Sequence, residues 1–391
     1  MAHGTINVTI ISHPSGVKEY QEKIRELAKF RDLALTLIVP QVYREGARLI
    51  EAFDGDGTYR VTKLPAIFGK RGSQNGHFYL HLASTLRKTE PDVLLIEEEP
   101  ESIVTAQSIF LARQLHHRPK ILLLSSRNQE MEFEKHWGMF SVQRYLYPAL
   151  SRYTLNRVDW LDMCNHEGGG IFRAWGYQRP ITVIPQIGID PEKYSPGPPR
   201  KDLLDSLRSS GLVIGYVGRL LHMKGIETLI NAVAQIKTEF TLLLVGWGAQ
   251  REYFEALARE KGIEHNMRIT GAVPFQDVVH YLRCMDMMVL PSLTTKEWKE
   301  QFGRVLPEAM ACEVPVIGSS SGEIPAVIGD AGWVFQEGNV DELRSCIESL
   351  INDPNRRRSF GAAGRKRVLE NFTGSRLAAK LHEVLLEMTA S

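Results

Sequence analysis

Cysteine is scarce in this 391-residue chain. The four that occur, Cys164, Cys284, Cys312 and Cys346, stand far apart, with no CxxC pair and no Cys/His cluster. That spacing excludes a disulfide framework and a cysteine-based zinc site, and reads as reduced core residues. Charge of one sign is lacking as well: 47 Lys and Arg against 46 Asp and Glu leave a net charge of +1, so no bulk field recruits nucleic acid or a membrane. No apolar run approaches the roughly 20 residues that span a bilayer. Thr5–Ile11 is apolar but short, has no basic lead, and stops at His13-Pro14-Ser15-Gly16, so no secretory leader is expected. The expectation is a cytoplasmic protein, in peripheral contact with the inner face of a membrane at most. A GxxxxGK[ST] loop is also missing, which argues against a P-loop NTPase.

What is present is an ordinary soluble composition, 43% hydrophobic and 24% charged, in a chain longer than one core normally supports. A β-branched run at Ile6–Ile11 and short strand-like runs at Leu33–Val39, Asp92–Ile96, Lys120–Leu124, Val158–Met163 and Ile181–Ile184 alternate with helical patterns in the first half. That alternation is the βαβ signature of a parallel sheet. Lys63–Gly76 reads as a long, mobile basic loop, and Lys63, Lys70 and Arg71 on it as candidates for a lipid headgroup or as solvated charges. The long helical pattern His136–Arg157 carries an aromatic stripe (Trp137, Phe140, Tyr145, Tyr147, Tyr153) and should kink or split at Pro148. Pro185–Pro199, with five prolines and no periodicity, reads as a linker. The second half repeats the alternation, with strands at Val213–Val217, Thr241–Val245, Met267–Thr270, Met287–Leu290, Val314–Ile317 and Trp333–Phe335. The fold class is therefore α/β, as two Rossmann-like doubly wound domains: residues 1–190 and 200–372, with a last helix over 373–391. Such sheets bind ligands at the carboxyl ends of their strands, so the expected site is the cleft between domains.

Five stretches at strand ends carry chemistry. Gly218-Arg219 through Lys224-Gly225 follows a strand and opens a helix, with a glycine for close backbone approach and two fixed cations suited to a diphosphate. A βα turn with solvated charges explains it equally well. Gly246-Trp247-Gly248-Ala249-Gln250-Arg251 imitates a dinucleotide fingerprint, but Arg251 replaces the third glycine and weakens a dehydrogenase reading. His13-Pro14-Ser15-Gly16 is either a ligand-facing turn or a simple one. Glu97-Glu98-Glu99 is either a solvated charge run or the source of one carboxylate that binds a hydroxyl-rich ligand. Glu300 and Glu308 bracket a junction from an exposed, charged loop into a helix. Pro307 requires that helix to begin near Arg304 or Val305, which leaves Glu300 in the loop and the N–H groups of Gly303, Arg304 and Val305 for an anion. Two carboxylates around a positive helix end suit a sugar nucleotide.

Together, Gly218-Arg219…Lys224-Gly225, the Glu300–Glu308 pair around Phe302-Gly303, and Ser321-Gly322-Glu323-Ile324-Pro325 resemble the retaining glycosyltransferases of family four, which have the GT-B fold. The resemblance runs from about Val183 to Phe372 and is thin before it. It implies metal-independent transfer of a sugar from a nucleotide diphosphate donor, a co-substrate rather than a cofactor, to a saccharide or lipid-linked acceptor. The donor would be uridine-based first and guanosine-based next. It implies catalytic roles for Arg219 and Lys224 on the departing diphosphate and for Glu300 on the sugar hydroxyls. Glu308 would hold the ribose, the backbone of Phe302, Gly303, Arg304, Val305 and Leu306 the phosphate and sugar, and Val273 the base, with Gly16 against the phosphates. His13, Glu97, Glu98 and Glu99 are the acceptor-side candidates, although relatives place a histidine where the triplet stands. Glu313 replaces the usual glycine, so a different helix ending is expected there. The last helix should cross back onto the first domain. An epimerase of the same fold and a catalytically silent sugar-nucleotide binder remain as alternatives. No metal ligand set, nucleic-acid surface or oligomeric state follows from these motifs.

Overall fold

A computed structural model describes residues 4–45, 48–67, 76–130, 140–207 and 211–390. The chain divides into two compact units, Met1–Gly188 with Gly374–Ser391, and Ile189–Thr373.

The first unit is built on β1 (Ile6–Ile11), β2 (Leu33–Pro40), β3 (Val42–Glu45), β4 (Arg48–Glu51), β5 (Arg60–Leu64), β6 (Ala66–Ile67), β7 (Phe78–Tyr79), β8 (Val93–Glu97), β9 (Lys120–Ser125), β10 (Trp160–Met163) and β11 (Ile181–Val183). Seven of these form one parallel sheet in the order β11-β10-β9-β8-β1-β2-β5, while β3–β4 and β6–β7 are antiparallel hairpins. Successive residues of a strand face opposite sides. Val93 and Leu95 enter one core with the helix Glu22–Leu27, and Leu94 and Ile96 the other with the helices Leu82–Thr89 and Ile103–Ala112. Burial on both faces explains why these strands read as continuous apolar runs. The C-terminal helix Gly374–Ala390 contributes Leu377, Leu381 and Leu385 to the first of those cores.

The second unit contains β12 (Leu212–Val217), β13 (Phe240–Val245), β14 (Met267–Ile269), β15 (Met287–Leu290), β16 (Val316–Ser319) and β17 (Gly332–Phe335). They form a parallel sheet in the order β14-β13-β12-β15-β16-β17. Both sheets therefore reverse their winding once, between β1 and β8 and between β12 and β15. The carboxyl ends at such a switch point are where ligands bind in open α/β sheets.

Four expectations need correction. The helix Val142–Leu155 is not split at Pro148, which lies inside it; there the ring removes one backbone N–H donor without ending the helix. Part of the proline-rich stretch is packed rather than a free linker: Ile189 and Tyr194 join the second core, and Ile189 N–H donates to the Phe372 carbonyl at 2.8 Å. Lys63 lies on β5 and pairs with Asp54 at 2.5 Å, so it is no loop cation; Lys70 and Arg71 lie outside the described residues, as do His136 and Trp137. Glu313, finally, does adopt the left-handed conformation, with φ +60°. Val314 N–H donates to the Ala309 carbonyl and Glu313 N–H to that of Met310, both at 3.0 Å, the Schellman ending that glycine normally supplies. The helix Pro354–Asn371 presses against that corner, for a Cβ on Gly361 would lie 2.3 Å from the Glu313 carbonyl oxygen. Packing imposes the ending on a residue that resists it.

Candidate active site

At the switch point of the second unit, β12 runs into Gly218-Arg219 and then a single 3-10 turn, His222–Lys224, before the helix Ile226–Val233. Gly225 joins turn and helix at φ +67°, and a Cβ there would lie 1.8 Å from the Pro291 carbonyl oxygen. Only glycine lets the Lys224 turn close against the end of β15. Leu293 N–H fastens the same junction to the Met223 carbonyl at 2.8 Å.

Glu300 is held from behind. Its carbonyl accepts from Glu323 N–H at 3.1 Å, and a Cβ on Gly322 (φ +55°) would lie 1.9 Å from that oxygen. Ser321-Gly322-Glu323 thus acts as a backbone cradle for Glu300. The side chain is buried, contrary to the exposed loop expected, and meets Lys224 Nζ at 2.7 Å and Ser292 Oγ at 2.8 Å. Lys224 Nζ also lies 4.2 Å from the centre of the Trp298 ring. Trp298 and the Ser292 hydroxyl received no such part from the sequence; an aromatic two residues from Glu300 was the available signal.

Arg219 is exposed. Its carbonyl accepts from the Tyr216 hydroxyl at 2.8 Å, and that hydroxyl would lie 2.6 Å from a Cβ on Gly218. Burial, and then the Glu300 charge, pushes the Tyr216 phenol well above its ordinary range. Glu308, buried on the helix Val305–Ala311, pairs with Arg304 Nε at 2.8 Å. Burial first and the Glu308 charge second raise the Tyr194 phenol beside it. Gly303 turns the chain at φ +71°, and Phe302 packs edge-on to Phe372 at 5.7 Å. The Leu306 side chain is wholly in the core and Val273 rests partly buried against it, so Leu306 offers a ligand backbone only.

In the first unit the glutamate triplet is not a solvated run. Glu97 meets the buried Lys23 at 3.4 Å and accepts from Ser15 Oγ at 3.2 Å. Glu99 accepts from Ser125 Oγ, Ser126 N–H and Ser126 Oγ at 2.6, 3.0 and 2.9 Å. Glu98 is buried against His13. Pairing of Ile11 with Ile96 across β1 and β8 places residues 13 and 98, two further along each chain, side by side. Gly16 is enclosed: its N–H donates to the His13 carbonyl at 3.2 Å, and a Cβ would lie 3.0 Å from Tyr43 Cε1. The space its missing side chain leaves is taken by Tyr43. Farther in, Glu101 pairs with Arg127 at 2.5 Å, and burial raises its carboxyl despite that cation.

Residues 206–367 match the family model of the glycosyl transferases group 1. That stretch holds Arg219, Lys224, Glu300 and Glu308. The chain is similar to a GDP-mannose-dependent monoacylated alpha-(1-6)-phosphatidylinositol monomannoside mannosyltransferase of Corynebacterium glutamicum, 31% identical over 60% of this chain and 60% of that one. The chain thus spans about three fifths of that relative. A GDP-mannose-dependent alpha-(1-6)-phosphatidylinositol monomannoside mannosyltransferase of Mycolicibacterium smegmatis is 28% identical over 86% of this chain and 93% of its own length. Among solved structures, Anabaena Alr3699/HepE in complex with UDP aligns over 98% of this chain and 100% of its own, with a TM-score of 0.73 at 18% identity. At that identity the likeness shows the fold, two Rossmann-like parallel-sheet domains of the GT-B class.

Proposed function

We propose that this protein is a retaining glycosyltransferase that moves a sugar from a nucleoside diphosphate donor to a hydroxyl of a saccharide or lipid-linked acceptor. The single observation that carries the reading is the Lys224–Glu300–Ser292 constellation at the switch point, with exposed Arg219 on the same loop as Lys224. An ammonium has three N–H donors. One is engaged by Glu300 at 2.7 Å, which leaves donors for phosphate oxygens without breaking the pair. As the glycosidic bond breaks, negative charge grows on the departing diphosphate. Fixed cations at Lys224 and Arg219 stabilise that charge more than they stabilise the bound donor.

Glu300, oriented by its cradle and by Ser292, accepts from sugar hydroxyls, and Glu308 from the ribose. Arg304 occupies one side of Glu308 already. The backbone around Gly303–Leu306 faces phosphate and sugar, and Val273 lies toward the base. The first unit, with His13 and Glu97–Glu99 at its strand ends, receives the acceptor. On the donor, the names of the mannosyltransferase relatives move guanosine ahead of uridine, so GDP-mannose is the first donor to try.

Lys224→Ala and Glu300→Ala are each expected to lower turnover by about 10²–10³-fold, the usual loss when one preorganised charge contact is removed, with the far-UV circular dichroism unchanged. A thermal-shift screen of GDP, UDP and ADP and their sugars fixes the donor first, because binding raises the melting temperature by mass action. Near-normal transfer by both variants would sink the proposal. Donor binding with no transfer to any acceptor would leave the silent binder, and donor turnover without an acceptor the epimerase.

A further inference from the structure

We infer that His13, His77 and Glu98 form a binding site for one divalent transition-metal ion of the zinc class. The three residues come from separate stretches, so no local spacing announces them. His13 and Glu98 are brought together by the β1–β8 register. His77 precedes β7, which Gln107 holds from both sides: its side-chain oxygen accepts from Tyr79 N–H at 3.0 Å and its amide donates to the Tyr79 carbonyl at 2.7 Å.

The geometry converges on one point. His13 Nδ1 lies 2.7 and 2.8 Å from the two Glu98 oxygens, and His77 Nε2 lies 3.8 Å from Oε1. One ligand atom from each residue falls within 4.8 Å of the others. Ligands bonded to zinc at about 2.0–2.2 Å stand roughly 3–4 Å from one another. The His77–Glu98 distance of 3.8 Å lies in that range, and the His13–Glu98 contact at 2.7 and 2.8 Å, a hydrogen bond without the ion, would open by roughly a few tenths of an ångström around it. The rings of His13 and His77 meet edge to face at 5.6 Å. Tyr43 closes behind His13 at 6.0 Å between ring centres, and Tyr79 behind His77 at 5.4 Å.

Charge argues the same way. Each glutamate of the triplet has a different partner: Glu97 has Lys23, Glu99 has Arg127 at 3.7 Å, and Glu98 has the two imidazoles. Among the described residues no lysine or arginine pairs with Glu98. A carboxylate as buried as Glu98 needs compensating charge, and a dication held by two neutral imidazoles supplies it. Two ring nitrogens and one carboxylate oxygen favour zinc, cobalt or nickel over calcium or magnesium. Three protein ligands leave a fourth position for water or a ligand oxygen. An imidazolium on His13 is the competing source of charge, and it is one outcome of the test.

The test titrates chelator-treated full-length protein with zinc by calorimetry and with cobalt by visible absorption. One ion per chain is expected, with affinity falling at least about 100-fold in His77→Ala and in Glu98→Gln. His116 and His117, an exposed pair on the same unit, are the control for adventitious surface binding, and His116→Ala/His117→Ala should leave the affinity unchanged. The site is overturned if wild type binds no ion in the micromolar range, if His77→Ala and Glu98→Gln bind as wild type does, or if only a proton titration is seen. Nucleotide-induced thermal shifts of the same variants report the donor site in the other unit, so failure here is distinguishable from failure of the transferase reading.

Discussion

Glu313 shows how much one residue can disclose. Its φ of +60° is a conformation that side chains with a Cβ adopt at a cost of about 1–2 kcal/mol. The Schellman hydrogen bonds around it and the close approach of Gly361 fix that conformation. Glu313→Gly is therefore expected to stabilise the protein by about 1 kcal/mol, net of the extra freedom glycine gives the unfolded chain. Urea unfolding monitored by circular dichroism measures it, and an unchanged midpoint would mean the strain is relieved elsewhere. The sequence had marked this position as unusual, but had drawn the opposite geometry from it. Local propensity pointed away from a left-handed glutamate; contact with the helix Pro354–Asn371 decided otherwise. Pro307 went the other way. A proline confined to the first helical turn dictated a start near Val305, which is where the helix begins.

At the scale of elements, the parallel strands were legible because burial on both faces makes them apolar runs. The β3–β4 hairpin and the helix Leu82–Thr89 were not. The hairpin lies outside the main sheet and alternates weakly, and the helix is too short to show a period, burying only Leu82 and Leu86. Strand ends also assemble a buried charge network that no spacing predicts. Asp162 on β10 is pushed up to about 7 by burial, with the Lys23 charge opposing that rise. Asp162 Oδ1 accepts from Thr182 Oγ1 at 3.2 Å and from Ile184 N–H at 3.0 Å. Because the folded value is raised, the native state holds the proton more tightly than the unfolded chain. The stability this contributes is full below about pH 4 and is lost as pH rises through 7. Asp162→Asn should flatten the fall in unfolding free energy between about pH 4 and 7; denaturation curves across that window test it, and a slope as steep as in wild type would assign it to other groups.

For the whole molecule, the most telling feature is a helix far from its core in sequence. Gly374–Ala390 belongs to the first unit, where Leu377, Ala378, Leu381, Val384, Leu385 and Met388 complete the core beside the helix Glu22–Leu27. His382 Nε2 reaches Asp32 at 2.8 Å and stacks on Phe30 at 4.0 Å. Each large apolar side chain so buried contributes about 1.5–3 kcal/mol, which together rivals the 5–15 kcal/mol by which typical domains are stable. A chain ending at Thr373 should therefore leave the first unit open to limited proteolysis while residues 189–373 resist, and equal resistance of both units would refute that division of the core. By itself the sequence determined the alternation of strands and helices, the place of Lys224, Glu300 and Glu308 at strand and helix ends, and the absence of membrane-spanning length, since these follow from local periodicity and from proline and glycine geometry. The tertiary structure decided that Glu300 is buried against Lys224, that the glutamate triplet divides among three different partners, and that His13, His77 and Glu98 converge. Those outcomes depend on strand register and on backbone approaches at Gly225 and Gly322, which join residues dozens of positions apart and leave no period in the sequence.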